Sequence, residues 1–269
     1  TDGETLNIVY VDATKGWIPL DDDEVADVPY RPNTQKAIFA YGHDNSTIVS
    51  MSNLVNSSGV VATDTVGVGT ARSALAAASY GTDKAIFAYG EAGSNVNLSN
   101  LVNNVGVVAS DVTGVGTARR NLAAAGYGVG LAIFGYGDTG SVSSLTNLVN
   151  TSGVIAADVT GVGTARSSLA AASYGTDKAI FAYGNTGGDT AISNLVSNVG
   201  VVATDVSGVG TARSLLTAAG YGADKAIFAY GNVYSLTNLV NTSGVIAADV
   251  TGVGTARYQP GGAGYSLSA

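Results

Sequence analysis

The chain of 269 residues has a formal net charge of −8 and a sequence pI near 4.4. This argues against a surface for nucleic acid or anionic membranes, because such surfaces need clustered Lys and Arg. The sequence contains no cysteine, which excludes disulfide scaffolding and thiolate metal sites, and no apolar run approaches the roughly 18 residues of a transmembrane helix.

The first 35 residues do not share the pattern that fills the rest of the chain, and we expect 1–35 to be an arm or linker with a short β segment. Residues 7–11 alternate in the manner of a strand, and residues 16–20 follow with the sole Trp of the sequence. The acidic run over 21–24 lacks the spacing of a calcium loop. It predicts a solvated linker, with adventitious cation binding as the alternative.

Residues 36–269 consist of one pattern repeated five times, with a period of about 47 residues. The repeats start near residues 36, 84, 131, 178 and 225. The phrase Ala-Ile-Phe-(Ala/Gly)-Tyr-Gly begins at Ala37, Ala85, Ala132, Ala179 and Ala226. Each repeat therefore has to be explained by one structural unit that occurs five times.

Each repeat predicts four short strands, which in one copy cover 122–127, 132–136, about 144–149 and about 154–159. These segments are rich in small, β-branched or aromatic residues and are bounded by Gly, Asn, Asp or Thr. The Leu-Ala-Ala-Ala run that opens the first segment has helix propensity, so a short helix there is the alternative. A tight Tyr-Gly turn follows it at once, which favours the strand.

Four strands in 40 to 50 residues are typical of a β-propeller, and a solenoid is the other fold that repeats produce. The first repeat lacks its first strand, and residues 263–265 match that strand at the chain end. The sequence therefore predicts an all-β, five-bladed β-propeller with four-stranded blades. It would be closed by pairing of N- and C-terminal strands in one blade, which removes free sheet edges. An open solenoid would instead need capping repeats.

An Arg and an Asp recur in every repeat. We interpret them as a structural hydrogen-bond ladder at each blade junction, with a ring of five equivalent ligand sites as the alternative, because the guanidinium binds both carboxylates and carbonyls. The Arg residues are Arg72, Arg119, Arg166, Arg213 and Arg257. The Asp residues are Asp64, Asp111, Asp158, Asp205 and Asp249.

Two sets of Tyr recur, and we expect them to pack with a bonded hydroxyl, with stacking on a sugar as the alternative. One set is Tyr80, Tyr127, Tyr174, Tyr221 and Tyr265. The other is Tyr41, Tyr89, Tyr136, Tyr183 and Tyr230.

The loop after the second strand varies from repeat to repeat, while the residues around it do not. Alternation of strand direction predicts that these loops share one face with the Gly-Val-Gly-Thr-Ala-Arg turns. A variable polar loop on a rigid scaffold is a candidate for recognition, and drift of an exposed loop is the alternative. The candidate residues are His43, Asp44, Asn45, Glu91, Ser94, Asn95, Asp138, Thr139, Asn185, Thr186, Asp189, Asn232 and Tyr234.

The sequence offers little material for catalysis, which needs an asymmetric set of acid, base or nucleophile. His43 is the single His, and the Gly-Val-Gly-Thr-Ala-Arg turn lacks the Lys of a phosphate loop. We therefore expect no enzyme, no cofactor and no metal site. The alternative is that the recurring Asp residues supply paired carboxylates, as in propeller glycosidases.

The phrase Thr-Ala-Arg-x-x-Leu-Ala-Ala-Ala-x-Tyr-Gly, followed by Lys-Ala-Ile-Phe-Ala-Tyr-Gly, resembles the kelch/RCC-type repeat of tail-associated and virion proteins of bacteriophages, over about 36–269. Residues 10–18 resemble a short segment of phage tail fibre and appendage proteins. Unlike ordinary kelch repeats, this one has no double Gly after the second strand and no Trp in the fourth. The resemblance implies a virion or fibre component whose arm attaches the propeller to the particle or to a partner subunit.

Two functional hypotheses follow. The first is a structural or receptor-binding component of a phage virion or an extracellular surface, within a larger assembly. Its partners would be other subunits through the arm, and a host glycan, but neither nucleic acid nor inserted membrane. The second is a lectin-like module with several carbohydrate sites between blades, similar in architecture to the tachylectin family.

Overall fold

A computed structural model describes residues 8–19 and 36–264. Residues 8–19 form a hairpin in which β1 (Ile8–Tyr10) pairs antiparallel with β2 (Trp17–Pro19). Tyr10 lies opposite Trp17, and their ring centroids are 5.5 Å apart. The other predicted parts of the arm, including Asn7 and the acidic run, lie outside the described residues. No helix among the described residues has the length and apolar character to cross a membrane.

Five small antiparallel sheets follow in chain order, and we number them 1 to 5. Sheet 1 contains β3 (Ala37–His43) and β4 (Ile48–Val55). Sheet 2 contains β5 (Ala76–Tyr80), β6 (Lys84–Ala88) and β7 (Ser99–Val102). Sheet 3 contains β8 (Ala123–Tyr127), β9 (Leu131–Gly135) and β10 (Thr146–Val149). Sheet 4 contains β11 (Ala170–Tyr174), β12 (Lys178–Ala182) and β13 (Ser193–Val196). Sheet 5 contains β14 (Thr217–Tyr221), β15 (Lys225–Ala229) and β16 (Thr237–Val240).

The Ala-rich segment forms a strand in sheets 2 to 5, so the helix alternative is wrong. In β8 the residues Ala123, Ala125 and Tyr127 are buried and alternate with half-buried neighbours. Period-two burial suits a strand with one face buried more deeply than the other, whereas a helix would turn Ala125 away from the face shared by Ala123 and Tyr127. Tyr127 pairs with Leu131 across a turn in which Gly128 has φ +52°.

The predicted fourth strand is not continuous, which corrects the expectation for about 154–159. In sheet 3 that segment makes two isolated bridges, Thr146↔Val159 and Val149↔Ile155. Between them lies Asp158, whose carboxylate is held by hydrogen bonds from Asn147 Nδ2 and from the Thr117 hydroxyl. The segment therefore bends to place a carboxylate where two sheets meet, and it gives up regular pairing there.

The core lies between the sheets, because sheets 2 to 4 bury apolar side chains on both faces. In β9, Phe134 packs with Tyr89 of sheet 2, while the adjacent Ile133 packs with Leu169 and Phe181 on the sheet 4 side. Phe134 and Ile133 are both fully buried. Burial of such a side chain contributes about 1.5–3 kcal/mol.

The Ala-rich first strands of sheets 2 to 5 are neighbours in space, and a backbone ladder joins the residues just before them. Each of these residues is left-handed, with φ between 52° and 54°. An amide N–H donates to the carbonyl of the equivalent residue one repeat earlier, at 2.7–2.9 Å. The donor–acceptor pairs are Asn121–Ala74, Ser168–Asn121, Leu215–Ser168 and Gln259–Leu215.

Sheets 5 and 1, the two ends of the series, share no hydrogen bond or buried cluster within residues 36–264. Phe39 of sheet 1 is 58% exposed, although its equivalents in the other sheets are buried. Residues 261–264 are not assigned to a strand, and Tyr265 lies outside the described residues. The prediction of an all-β fold made of repeated small sheets is confirmed. Closure into a five-bladed ring stays a prediction.

Candidate functional site

The recurring Arg joins one sheet to the next. Arg119 is fully buried, and its Cζ lies 4.2 Å from the ring centroid of Tyr89 in sheet 2. Its Nε donates to the Tyr136 carbonyl at 2.8 Å, and its Nη2 donates to Asn147 Oδ1 at 2.7 Å, both in the following repeat. Its Nη1 donates to the Thr117 carbonyl at 3.1 Å. The guanidinium therefore connects an aromatic face of sheet 2 to polar groups of sheet 3.

The recurring Asp completes this arrangement. Asp158 accepts from the Thr117 N–H at 3.0 Å, from the Thr117 hydroxyl at 2.7 Å and from Asn147 Nδ2 at 3.0 Å. Arg119 Nη1 lies 3.9 Å from Asp158 Oδ1. The Asp partner of Arg119 is therefore one repeat further along the chain and is not Asp111, which precedes Arg119 by eight residues. We call Thr117, Arg119, Tyr89, Asn147 and Asp158 together a junction clamp.

The Arg–Tyr and Thr–Asp contacts of the clamp recur with nearly the same geometry at four junctions of the described residues. The Arg–Asn bond forms for Arg119 and Arg213, whereas Arg72 and Arg166 donate Nη2 to the Phe87 and Phe181 carbonyls. The Arg–Tyr distances are 4.2, 4.2, 4.0 and 4.2 Å, and the Thr Oγ1–Asp Oδ2 distances are 2.7, 2.7, 2.6 and 2.7 Å. The Thr–Arg–Asp sets are Thr70–Arg72–Asp111, Thr117–Arg119–Asp158, Thr164–Arg166–Asp205 and Thr211–Arg213–Asp249. Arg257 stacks on Tyr230 at 3.6 Å but remains exposed, and Asp64 accepts from Asn53 Nδ2 without a Thr donor within residues 36–264.

The Tyr that lies under each Arg is held in an unusual backbone conformation. Tyr136 has φ +63° and is followed by Gly137 at φ +107°. A left-handed Tyr costs on the order of 1–2 kcal/mol, and the clamp offsets this, because the Tyr136 hydroxyl donates to the Val162 carbonyl at 3.2 Å while Arg166 covers the ring. Burial raises the pKa of Tyr89 to about 12, despite the nearby Arg119.

Three members of the other Tyr set also pack at the junctions. Tyr127 is 5% exposed and lies against Gly200, which follows sheet 4, where an added Cβ would approach the Tyr hydroxyl oxygen to 2.7 Å. Tyr80 and Tyr174 are placed in the same way against Gly153 and Gly244. These rings are covered by protein at the junctions, so they present no open aromatic face to a sugar.

The candidate loop residues lie on the edge that carries the clamps. Asp138 pairs through its backbone with Arg120, directly after Arg119, which places the loop beside the Gly-Val-Gly-Thr-Ala-Arg turn. Arg120 Nη1 bonds Glu91 Oε2 at 2.5 Å, and Asn95 Nδ2 donates to the Asp138 carbonyl at 2.9 Å. Neighbouring loops are therefore linked across the junction between sheets 2 and 3.

The remaining loop residues divide between local turns and the surface. In sheet 1, Asp44 caps the Ser46 and Thr47 N–H groups, and His43 Nδ1 accepts from the Asn45 N–H at 3.0 Å. Asn185 Oδ1 accepts from the Gly187 N–H, and the Thr139 and Thr186 hydroxyls each donate to the carbonyl two residues further along the chain. Asn232 Nδ2 donates to Asp189 Oδ2. Ser94 and Tyr234 lie at exposed positions.

The clamps are suited to connecting sheets. Most of their donors and acceptors are used within the chain, and the Arg side chains are buried at all four junctions. The described ranges 8–19 and 36–264 contain no group of three His, Asp or Glu residues positioned to hold a metal ion.

Sequence reasoning did not identify the Thr and Asn members of the clamp. The Thr lies two residues before each Arg, and the Asn lies eleven residues before each Asp, so the signal was a fixed spacing between two residue types. The left-handed ladder residues carry no such signal. They are Ala, Asn, Ser, Leu and Gln, because the ladder uses their backbone and leaves the side chain free to vary.

No protein-family model matches this sequence, and a search of curated proteins gave no significant match.

Acid is expected to weaken the clamps. Burial acts to raise the pKa of Asp158, but hydrogen bonds from Thr117 and Asn147 and the charge of Arg119 outweigh it, so the pKa lies below its ordinary value. The pKa values of Asp111, Asp205 and Asp249 are lowered for the same reasons. A lowered folded-state pKa stabilises the protein above the unfolded value of about 3.9, and this contribution disappears as the pH falls through the folded value.

Urea unfolding followed by circular dichroism, between about pH 5 and about pH 2.5 at constant ionic strength, measures this effect. We expect the midpoint to fall with decreasing pH, and the fall to be smaller in Asp158→Asn, which has one fewer titrating clamp. A midpoint independent of pH in the natural sequence would contradict the role assigned to the carboxylates.

Proposed function

We propose that this chain is a structural and adhesive component of a phage virion or surface appendage, and that its five sheets are blades of one closed β-propeller. The observation that carries the proposal is the contrast between constant junctions and variable loops on one edge. Four clamps repeat with Arg–Tyr distances of 4.0–4.2 Å, while the loops beside them differ in length and chemistry. A rigid scaffold that holds diverse loops is suited to recognition.

The loop of sheet 5 is the leading candidate for contact with a partner. It is the shortest of the five, and it exposes Val233 and Tyr234, the former at 79%. Exposed apolar and aromatic side chains at a loop tip gain free energy when a partner covers them. The host surface or another subunit is the partner that this loop edge would contact.

The N-terminal hairpin supports attachment to an assembly. Trp17 is 67% exposed, and Tyr10 beside it is also exposed. A two-stranded hairpin is marginally stable by itself in water. The hairpin would therefore gain stability by docking its aromatic pair on another subunit, in agreement with the attachment role that the resemblance implies for the arm. The proposed function includes no catalysis and no cofactor.

A lectin-like module with carbohydrate sites between blades is the second candidate, and one group of residues favours it. Asn232 Nδ2 in the loop of sheet 5 bonds Asp189 Oδ2 in the loop of sheet 4. Tyr234 lies two residues further along the same loop and is partly exposed. An aromatic ring beside an amide and a carboxylate is the combination that binds sugar rings and their hydroxyls.

A glycan array probed with the full 269-residue chain tests both candidates. The variant Tyr234→Ser removes the aromatic ring, and Asp189→Ala removes the acceptor between loops. Val107→Ser is the matched control, because Val107 is 60% exposed and follows β7 at the edge opposite the loops. We expect binding that falls at least about tenfold in the loop variants, equivalent to about 1.4 kcal/mol, and that is unchanged in the control.

The lectin-like candidate predicts that Tyr234→Ser and Asp189→Ala each weaken binding to the same class of glycan. Binding that survives both variants would contradict recognition through this loop pair. A folded chain that binds no glycan would leave assembly through the hairpin as the function, which Trp17→Ser would test by loss of incorporation into particles.

A further inference from the structure

The two ends of the series expose surfaces that every interior junction buries. At the end formed by sheet 1, Phe39 is 58% exposed, whereas Phe134 is fully buried. At the end formed by sheet 5, Tyr221 is 40% exposed against 5% for Tyr127, and Val253 is 81% exposed. Each end therefore presents one half of a junction.

The two halves are complementary residue by residue. Interior junctions pair a Tyr ring with the Phe of the next sheet at centroid distances of 5.2–5.5 Å, and Tyr230 and Phe39 are the members left without this pairing in residues 36–264. Interior junctions also pack a Tyr of one sheet on a Gly of the next, and Gly59 has nothing within 4 Å of its Cβ position.

The polar part of a junction is also divided between the ends. Thr255 and Arg257 stand after sheet 5 with the same spacing as Thr117 and Arg119. Asp64 stands after sheet 1 and is already oriented by Asn53 Nδ2 at 2.8 Å, as Asp158 is by Asn147. The chain thus holds every residue type of a fifth clamp.

We propose that the exposed faces of sheets 1 and 5 bind each other within one chain, with Asp64 accepting from Thr255 and Phe39 covering Tyr230. This fifth junction rests on the proposed closed propeller and names the contacts that close it.

The backbone at the C-terminal end is poised for this contact. Gln259 already donates to Leu215 as the last step of the ladder, and its own carbonyl is the acceptor that the Ala74 N–H lacks within the described part of the chain. The residue pair Ser167↔Asn185 is joined by two backbone hydrogen bonds in sheet 4, and the equivalent pair in sheet 1 is Tyr258 and His43. Residues 259–264 would then supply the first strand that sheet 1 lacks.

Binding within one chain is favoured over binding to a second copy because the two faces are tethered. A tether makes the contact intramolecular, so its formation does not depend on the concentration of other chains. No covalent bond joins the two faces, so this junction depends on noncovalent contacts between the chain ends.

Introduced cysteines test the proposal cleanly because the sequence contains none. The test variant is His43→Cys/Tyr258→Cys, and the control is Ser167→Cys/Asn185→Cys, whose backbones exchange hydrogen bonds of 3.0 and 2.8 Å. Opposite residues in such a pair have Cα atoms about 5.5 Å apart, within the range of a disulfide. We expect both variants to form an intrachain disulfide on mild oxidation, seen as loss of both thiols in a species that stays monomeric.

Two outcomes would overturn the proposal. Free thiols in the test variant, with the control fully oxidised, would mean that the ends stay apart. Dimers or longer oligomers held by interchain disulfides would mean that a second copy occupies the exposed face.

Thermal unfolding gives a second measurement that needs no new bond. If the fifth junction forms, Phe39→Ala should lower Tm by about 10 °C, as Phe134→Ala should at an interior junction. Val66→Ala is the control, because Val66 is 88% exposed in the segment that follows sheet 1, and the Tm of this variant should change by less than about 2 °C. An unchanged Tm in Phe39→Ala would contradict closure.

These results are separable from those on recognition. If the ring stays open, loop-dependent binding on the glycan array is still measurable, and if no glycan binds, the disulfide and Tm results stand unchanged.

Discussion

Arg119→Met is expected to lower the free energy of unfolding by about 3–5 kcal/mol, the usual cost of removing one partner from a buried charged pair. Arg119 is fully buried, and three of its nitrogens donate to groups of its own turn and of sheet 3. Methionine fills part of the space over Tyr89 but leaves the Tyr136 carbonyl without its donor. Chemical denaturation measures the loss.

Arg120→Met is the matched control, because it removes the same charge one residue later. The Arg120 side chain is 37% exposed, and its pairing with Glu91 is of the surface kind, worth about 0–1 kcal/mol. Equal losses in the two variants would mean that the clamp contributes no more than a surface ion pair.

Gly116→Ala is expected to destabilise the protein by about 2–4 kcal/mol, through backbone strain and steric overlap together. Gly116 has φ +75°, a region that L side chains rarely adopt. An added Cβ would lie 2.4 Å from Asp158 Oδ1 and 2.7 Å from Asn147 Nδ2. The variant therefore displaces the carboxylate that the clamp depends on, and equilibrium unfolding in urea reports the loss.

Gly93→Ala separates the two causes. Gly93 has a similar φ of +82°, but nothing lies within 4 Å of its Cβ position. It should lose about 1 kcal/mol from strain alone. If Gly116→Ala cost no more than this control, the close packing of the turn against Asp158 would be disproved.

Much of the fold could be predicted because each inner strand carries its own signal. The Ala-rich segment before a Tyr-Gly turn and the Ile-Phe pair both specify strands, and the Ile-Phe strands of sheets 2 to 4 are buried on both faces. The fourth segment carried the same apolar signal and still failed to form a continuous strand, because Asp158 is bound by Thr117 from a neighbouring repeat. Such a long-range contact is not visible in local propensity.

The candidate site was predictable in its residue types and less so in its pairings. Arg119 and Asp111 are close in sequence, yet Arg119 faces Asp158, since the turn that carries the Arg crosses to the next sheet. Loop residues such as Asp138 were identified from their variation, whereas the bond from Asn95 to the Asp138 carbonyl depends on how two loops lie across a junction. The spacing in the sequence identifies the residues that recur, but it does not tell which repeat supplies the partner of a given residue.

The sameness of the clamps has a consequence for how the chain assembles. Because each sheet offers nearly identical groups to the sheets before and after it, a clamp cannot distinguish its proper neighbour from any other copy. The order of the sheets is therefore set by the chain segments that connect consecutive sheets and not by the clamps. Contacts that occur at one junction only, such as the Arg120–Glu91 pair between sheets 2 and 3, make one pairing of sheets differ from the next during folding.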